Sequence, residues 1–478
     1  MTTLSNPALD KANQSVQAAV ARAEADPTRP VYHFLPPAFW MNDPNGPILH
    51  NGWYHIFYQH NPYGDEWGFM HWGHARSRDL VHWEHLPIAL APSYELGEEH
   101  VFSGCAWRNG DGEPLLFYTS VKSGPKESRP PNEQWAARPL DPELITWEKH
   151  PANPILALET HGGPAFDREW RDPFIFEEAG RTFMVLGGDF DNVAGVGLYE
   201  AADSSLLRWN YCGLLVQTTK DKLRFYECPN FFKVGNKWML ITSPYKTLEY
   251  MVGDFDVSTL KFTVEHEGIL DPGVSDVPNF YASNILFDGD VANPRCILLG
   301  WVRGFAKEHG WNGALALPRM LTIGEDGHPR QQPIPELKQV RGKGIDFGEQ
   351  MVYGYGEIDY SLAAPSAEVE ATLKLDGSGD VGIRVNRKLM VRYQAANGGK
   401  LTVLDNEIPF ALGSDGILKL QIFIDRSTLE LFVNDGKVAV TRIIDTPTDR
   451  CVLKFYTDGT RCDVQSLKVW EMKSIWGK

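Results

Sequence analysis

Three acidic residues of this chain each sit where neighbours would restrain a carboxyl group. Asp43 lies in Trp40-Met41-Asn42-Asp43-Pro44-Asn45-Gly46, held by the proline after it and flanked by the amides of Asn42 and Asn45. Asp172 lies in Arg171-Asp172-Pro173, again ahead of a proline and beside a guanidinium. Glu227 lies in Glu227-Cys228-Pro229, after Phe225 and Tyr226. Carboxyl groups brought to one centre can divide the labour of bond cleavage at a sugar carbon. One gives a proton to the leaving oxygen, and another faces the carbon from the opposite side. Apolar neighbours would desolvate Glu227 and raise its pKa, as a general acid needs. Cys228, directly after it, is placed to tune it through a weak S–H contact. Each segment also has a plainer reading. Asn-Asp-Pro-Asn-Gly is a common turn sequence, Arg-Asp a simple ion pair, and Glu227 a buried structural acid. Chemistry is favoured only if some element brings the three together.

Two recurring patterns over residues 50–310 supply that element. The first is a short aromatic-aliphatic run: Trp53-Tyr54-His55-Ile56-Phe57-Tyr58, Leu115-Leu116-Phe117-Tyr118, Thr182-Phe183-Met184-Val185-Leu186, Lys237-Trp238-Met239-Leu240-Ile241 and Cys296-Ile297-Leu298-Leu299-Gly300-Trp301. The second places an aliphatic just before an aromatic, at Leu80 and Trp83, Ile145 and Trp147, Leu207 and Trp209, and Leu260 and Phe262. Copies recur roughly every 50 to 70 residues, with Gly, Pro, Asn and Asp clusters between them and little helical periodicity. Small sheets repeated about an axis make a β-propeller, and the first pattern counts five blades. A generic β-sandwich would also repeat strands, but not two linked patterns at regular spacing. The carboxylates then fall in the first, third and fourth blades, on segments that converge at the axis.

The fold expected is all-β: a five-bladed β-propeller followed by a C-terminal β-sandwich. Residues 1–28 read as a helical lead-in. Asn6 is its N-cap, Pro7 its first helical residue, and Leu9, Ala12, Val16, Ala19, Val20 and Ala23 form one apolar stripe before Pro27. Residues 29–335 form the propeller, 336–350 a linker with a short helix ended by Arg341-Gly342-Lys343-Gly344, and 351–478 the sandwich. There the chain alternates over 369–375, 418–424 and 429–433, and Asn434-Asp435-Gly436 predicts a hairpin turn. No catalytic constellation is visible in that segment, which reads as structural or as an accessory wall.

Composition narrows the partners. A formal net charge of -16 would be repelled by phosphate backbones and anionic lipid, so neither nucleic acid nor membrane is expected. Fifteen Trp and 17 Tyr favour a neutral sugar, whose rings stack on aromatic faces. The six cysteines show no C-x-x-C or zinc spacing, so no metal and no cofactor are expected. Scattered thiols and the lack of a secretory signal pattern point to the cytoplasm. Self-association into a homo-oligomer is left open.

Together, the three carboxylate motifs resemble glycoside hydrolase family 32, the invertases, inulinases and levanases, and stand intact and in that family's order. The resemblance continues through Phe57-Tyr58-Gln59-His60-Asn61-Pro62, Trp72-Gly73-His74-Ala75, Phe102-Ser103-Gly104, Phe280-Tyr281-Ala282, Leu317-Pro318-Arg319 and Asp425-Arg426-Ser427. It implies a retaining exo-acting β-fructofuranosidase that hydrolyses terminal fructose from sucrose and short fructo-oligosaccharides. Asp43 would be the nucleophile, Glu227 the acid and then base, and Asp172 the stabiliser of the transition state. The two reacting carboxyls of such a mechanism stand about 5 Å apart. The resemblance also implies a fructose pocket lined by Asn42, Gln59, Trp67, Phe102, Ser103, Arg171, Tyr281 and Trp301. Asn279 and Asn284 depart from the family pattern on its leaving-group side, so substrate choice does not carry over. Residues 123–132, rich in Pro and charge, read as an extended loop at the pocket mouth. Rival readings are a fructosyltransferase, a fructan (inulin or levan) exohydrolase, a non-catalytic fructan-binding propeller and a five-bladed inverting arabinanase or xylosidase. The last two fit poorly with three intact carboxylates in these motifs.

Overall fold

The computed structural model describes residues 6–476 apart from 126–128, 168, 274–276, 291–292 and 448. Each of the five aromatic-aliphatic runs forms the second strand of its own antiparallel sheet: Trp53–Asn61, Pro114–Lys122, Arg181–Phe190, Lys237–Thr242 and Asn293–Val302. These strands read as near-continuous apolar runs because both faces are covered, each blade being packed between its neighbours. The first strands are Phe39–His50, Glu98–Arg108, Trp170–Glu178, Asn230–Val234 and Phe280–Asp290. They pack against one another around the axis. The five sheets are the blades of a propeller.

The second sequence pattern marks the turn into the outermost strand of the first four blades. Leu80, Leu144, Leu206 and Leu260 all adopt the left-handed conformation, with φ between 56° and 63°, Leu144 and Leu206 standing one residue ahead of the Ile145 and Leu207 of the sequence pattern. In blades two and three the tryptophan that follows caps the turn. The indoles of Trp147 and Trp209 donate to the carbonyls of Leu144 at 2.8 Å and Leu206 at 3.0 Å. The ring is closed by Trp311–Asn312, an excursion of blade five that pairs in parallel with Phe39 and Trp40 of blade one.

The helix runs from Pro7 to Glu24, and the Asn6 side chain accepts from the backbone of Ala8 and Leu9. It buries Ala12, Val16 and Ala23, and Asn13 accepts the Ile88 N–H at 3.0 Å, docking it on blade one.

The C-terminal segment is two sheets of seven and six strands around an aliphatic core that includes Val369, Leu373, Ile383, Val391, Leu420 and Leu453. The expected linker 336–350 is different in structure. Pro335–Val340 is a 3-10 turn that buries Leu337 and Val340, and Arg341–Asp346 is already a sandwich strand paired with Thr460–Met472. The polar Arg-Gly-Lys-Gly composition conceals that strand. Gly344 leaves room for the Trp470 ring, which a Cβ would meet at 2.4 Å, and Arg341 lies 3.7 Å from the same ring centre and pairs with Glu368.

A buried set of charges joins propeller and sandwich. Asp425 accepts the N–H groups of Val31 at 2.8 Å, Tyr32 at 2.8 Å and His33 at 3.1 Å. The His33 ring meets Asp425 at 2.8 Å and Glu430 at 3.0 Å, and Arg319 meets Glu430 at 2.7 Å, with all four side chains out of solvent. Leu317-Pro318-Arg319 and Asp425-Arg426-Ser427, which the sequence offers without a role, thus supply residues of the domain contact.

Candidate active site

In blades one, two, three and five the first strand is interrupted at the same level by a register shift: Met41/Pro44, Val101/Gly104, Arg171/Phe174 and Tyr281/Asn284. A bulge turns side chains that regular alternation would bury within the sheet, and so re-aims them. Asn42 and Asp43, Phe102 and Ser103, and Asp172 fall inside these shifts. Prolines 44 and 173 fit there because a bulge leaves a ladder donor unneeded. In blade four Glu227 and Cys228 lie just ahead of Asn230–Val234. Asp172 and Cys228 both have left-handed backbone, with φ of 65° and 48°.

The three carboxylates meet around Cys228. Its N–H donates to Asp172 Oδ2 at 3.0 Å and its thiol points to Asp43 Oδ2 at 3.6 Å, while Glu227 is its chain neighbour. The expected thiol contact with the general acid is therefore replaced by one with Asp43, because the left-handed turn at Cys228 sends the two side chains different ways. Burial and the three nearby carboxylates push the Cys228 thiol well above its usual range, so it faces Asp43 as a neutral S–H donor.

The partners of the carboxylates differ in kind. Asp43 is held by neutral donors: Asn42 Nδ2 at 2.9 Å and Ser103 Oγ at 2.5 Å. Asn42 is itself oriented by the Trp40 indole at 2.7 Å. Glu227 accepts from Arg171 Nη2 at 2.7 Å on Oε1 and from the Tyr281 hydroxyl at 2.6 Å on Oε2. Its side chain is 17% exposed, so the desolvation expected from Phe225 and Tyr226 is met by a cation and a hydroxyl. Asp172 is the carboxyl that burial pushes up, to about 7. Arg171 opposes the shift, and the charges of Glu227 and Asp43 add to it. Arg171 serves Glu227 and Asp172, with its Nε 3.4 Å from Asp172, and its Nη1 lies on Glu169.

The remaining expected pocket residues separate into two groups. Trp67 is 53% exposed, with its ring 5.2 Å from His100 and 6.3 Å from Phe102, and Phe102 lies 6.0 Å from the Arg171 guanidinium. These form an aromatic edge beside the carboxylates. Gln59 is buried, and its amide donates to the Val101 carbonyl at 2.8 Å, joining blades one and two. Trp301 is buried between Trp40 and Tyr281, and its indole N–H has no partner among the described residues.

Asn279 and Asn284, the positions that depart from the family pattern, are both hydrogen-bonded to backbone. Asn284 donates to the carbonyls of Pro44 at 3.2 Å and Gly104 at 3.0 Å, tying blade five to blades one and two. Asn279 donates to the Arg303 carbonyl at 2.9 Å. Both amides are committed to backbone groups that the bulges and strand ends leave unpaired. Of the loop at 123–132, residues 126–128 lie outside the described residues. Tyr245 escaped the sequence reading although its hydroxyl accepts from Arg171 at 2.6 Å. The available signal was an aromatic in the Ser243-Pro244-Tyr245-Lys246 loop, which follows the second strand of the blade that carries Glu227.

Comparison with known proteins agrees with the two-domain fold. Residues 33–333 match the family model "Glycosyl hydrolases family 32 N-terminal domain", and residues 336–471 match "Glycosyl hydrolases family 32 C terminal". The chain is 30% identical to a levanase of Bacillus subtilis (strain 168), over 94% of this chain and 71% of the levanase. It is also 30% identical to a sucrose-6-phosphate hydrolase of Escherichia coli, over 93% of this chain and 94% of the other. Among solved structures it resembles a Bombyx mori GH32 beta-fructofuranosidase, with a TM-score of 0.82 and 26% identity, covering 98% of this chain and 100% of that one.

Proposed function

The chain belongs to glycosyl hydrolase family 32 and is a glycoside hydrolase; from that premise we propose that it is a retaining, exo-acting β-fructofuranosidase. The observation that carries this reading is the convergence of carboxyl groups from three blades on Cys228, with unlike partners for each. Asp43, held by the neutral donors Asn42, Ser103 and Cys228, attacks the anomeric carbon of a terminal fructosyl unit. Glu227 gives its proton to the oxygen that leaves. The carbon–oxygen bond breaks as the Asp43 ester forms, and the leaving sugar carries the proton away. Glu227, now a carboxylate, takes a proton from water. The water oxygen displaces Asp43 and frees fructose with its configuration retained. Asp172, buried beside Arg171, accepts from or donates to ring hydroxyls and faces the charge that develops on the ring.

The proposed substrates are sucrose and short fructo-oligosaccharides. The levanase and sucrose-6-phosphate hydrolase among the relatives support β-fructosides as the class. A reducing compartment is proposed with them, on the six unbridged cysteines, and fractionation of the producing cells tests it. The central experiment is a time course with sucrose, kestose and inulin that follows the products and the anomer first released. Free β-fructose from the first time points is expected. Early fructan fragments of intermediate length would show endo cleavage, and release of the inverted anomer would remove the covalent intermediate.

A further inference from the structure

The Tyr281 hydroxyl has one hydrogen and three neighbours. It lies 2.6 Å from Glu227 Oε2, 2.7 Å from the Ser243 carbonyl and 2.9 Å from the Tyr245 N–H. The Tyr245 N–H is a donor only, so it occupies one lone pair of the hydroxyl oxygen. The hydroxyl hydrogen must then choose between Glu227 and Ser243. When Glu227 is ionised, the hydrogen points to Oε2. When Glu227 carries a proton there, Glu227 donates to the second lone pair and the tyrosine hydrogen turns to the Ser243 carbonyl. Both states keep Glu227 Oε2 paired with the Tyr281 hydroxyl, which suits a residue that must act first as an acid and then as a base.

The other oxygen of Glu227 is governed from the same loop. Arg171 Nη2 has two hydrogens. One goes to Glu227 Oε1 at 2.7 Å and the other to the Tyr245 hydroxyl at 2.6 Å. Tyr245 therefore touches both partners of the carboxyl group, one through its backbone N–H and one through its side chain. Its backbone is left-handed, with φ of 63°, a conformation that persists in a large side chain only where the surroundings demand it. The residues just ahead of Glu227 set its ring, with Phe225 6.3 Å and the Arg224 guanidinium 5.2 Å from its centre.

We infer that Tyr245 is a positioning residue for the proton donor, and that with Ser243 and Tyr281 it forms a hydroxyl relay that accommodates Glu227 in both of its protonation states. This rests on the reading of Glu227 as the acid and base. It reassigns Tyr281 from the fructose pocket to the support of Glu227. Tyr245 acts through Arg171 and Tyr281.

The test compares Tyr245→Phe and Tyr281→Phe with the unaltered enzyme on sucrose across pH. Tyr245→Phe keeps the N–H to Tyr281 and removes only the acceptor of Arg171. Without that competing acceptor the Arg171 guanidinium can settle more closely on Glu227, favouring its ionised form. Tyr245→Phe should lower kcat roughly three- to tenfold with KM within about twofold, and should move the alkaline limb of the pH–rate profile to lower pH. Tyr281→Phe removes a donor to the carboxylate and should move the same limb to higher pH. The other charged groups facing the pair are Asp43, Asp172, Glu169 and Arg171, with Arg224 and Arg303 over the two rings. Neither variant alters them, so opposite displacements report the hydroxyl removed. A Tyr245→Phe enzyme with unchanged kcat and profile overturns the inference. A raised KM with kcat and profile intact also overturns it, by making Tyr245 a sugar contact. Failure of the unaltered enzyme to release fructose from any β-fructoside would instead remove the proposed function. Tyr245 is 40% exposed, and thermal unfolding checks that both variants fold.

Discussion

Asp172 is buried to 5% exposure and shares Arg171 with Glu227. If Asp43, Asp172 and Glu227 act on one fructosyl centre, then Asp43→Asn, Asp172→Asn and Glu227→Gln should each lower kcat/KM on the order of 10³-fold or more, about 4 kcal/mol of transition-state stabilisation. A variant with near-full activity would remove that residue from the mechanism. Asp172 should also show an opposite effect on stability. Its pKa, about 7 in the fold, is about 3.9 in an unfolded chain. Between those values the folded state binds the extra proton, so this group makes the fold less stable as pH rises from about 4 to 7. Asp172→Asn removes that loss. The variant should match the parent near pH 4 and unfold at a higher temperature above pH 7, while remaining inactive; equal shifts at both pH values would refute the assignment. Cys228 bears on the nucleophile. Cys228→Ser would put a stronger donor against Asp43 and should reduce the rate of fructosyl-enzyme formation, read from pre-steady-state fructose and glucose release. An unchanged rate leaves the thiol as packing.

The blades place these side chains through bulges and through one closing strand pair. Gly313 follows that pair, with φ of 89° and a Cβ position only 2.1 Å from the Met41 carbonyl, two residues ahead of Asp43. Gly313→Ala should displace the start of blade one, cost roughly 2–3 kcal/mol of stability and reduce kcat with it. Gly112 has φ of 79° and, among the described residues, nothing within 4 Å of its Cβ position. Gly112→Ala therefore carries the backbone strain without the collision, and should cost about 1 kcal/mol with kcat unchanged. Equal losses in the two variants would mean that backbone strain alone, not contact with Met41, sets the effect. The aromatic-aliphatic runs and the leucine turns were legible as repeats because a covered strand and a left-handed turn each leave a local imprint on residue type. The bulges were not, since a register shift is a relation between two strands. The Arg341–Asp346 strand was hidden for a similar reason: its residues suit an edge only once Trp470 and Glu368 are beside them.

At the scale of the whole molecule, His33 is the group on which the domain contact turns. Burial opposes its charge, but hydrogen bonds and charges from Asp425 and Glu430 outweigh burial and raise its pKa to about 9. A raised value means that this contribution to stability is complete below about pH 6.5, the unfolded value, and is lost as pH climbs through about 9. The parent should lose thermal stability across that window. His33→Gln should start lower, by about 3 kcal/mol or more because Asp425 loses its buried cation and Glu430 keeps only Arg319, and should respond less between pH 6.5 and 9. Parallel curves would exclude His33 as the titrating group. By itself the sequence determined the repeat, the propeller and sandwich classes, and three carboxylates with their immediate neighbours, since these rest on side-chain periodicity and on contacts along the chain. The tertiary structure alone decided that the Cys228 thiol faces Asp43, that Tyr245 reaches both partners of Glu227, and that Asn284 ties blades together. Those contacts join residues tens to hundreds of positions apart, and backbone turns and bulges set them, so no single segment of sequence encodes them.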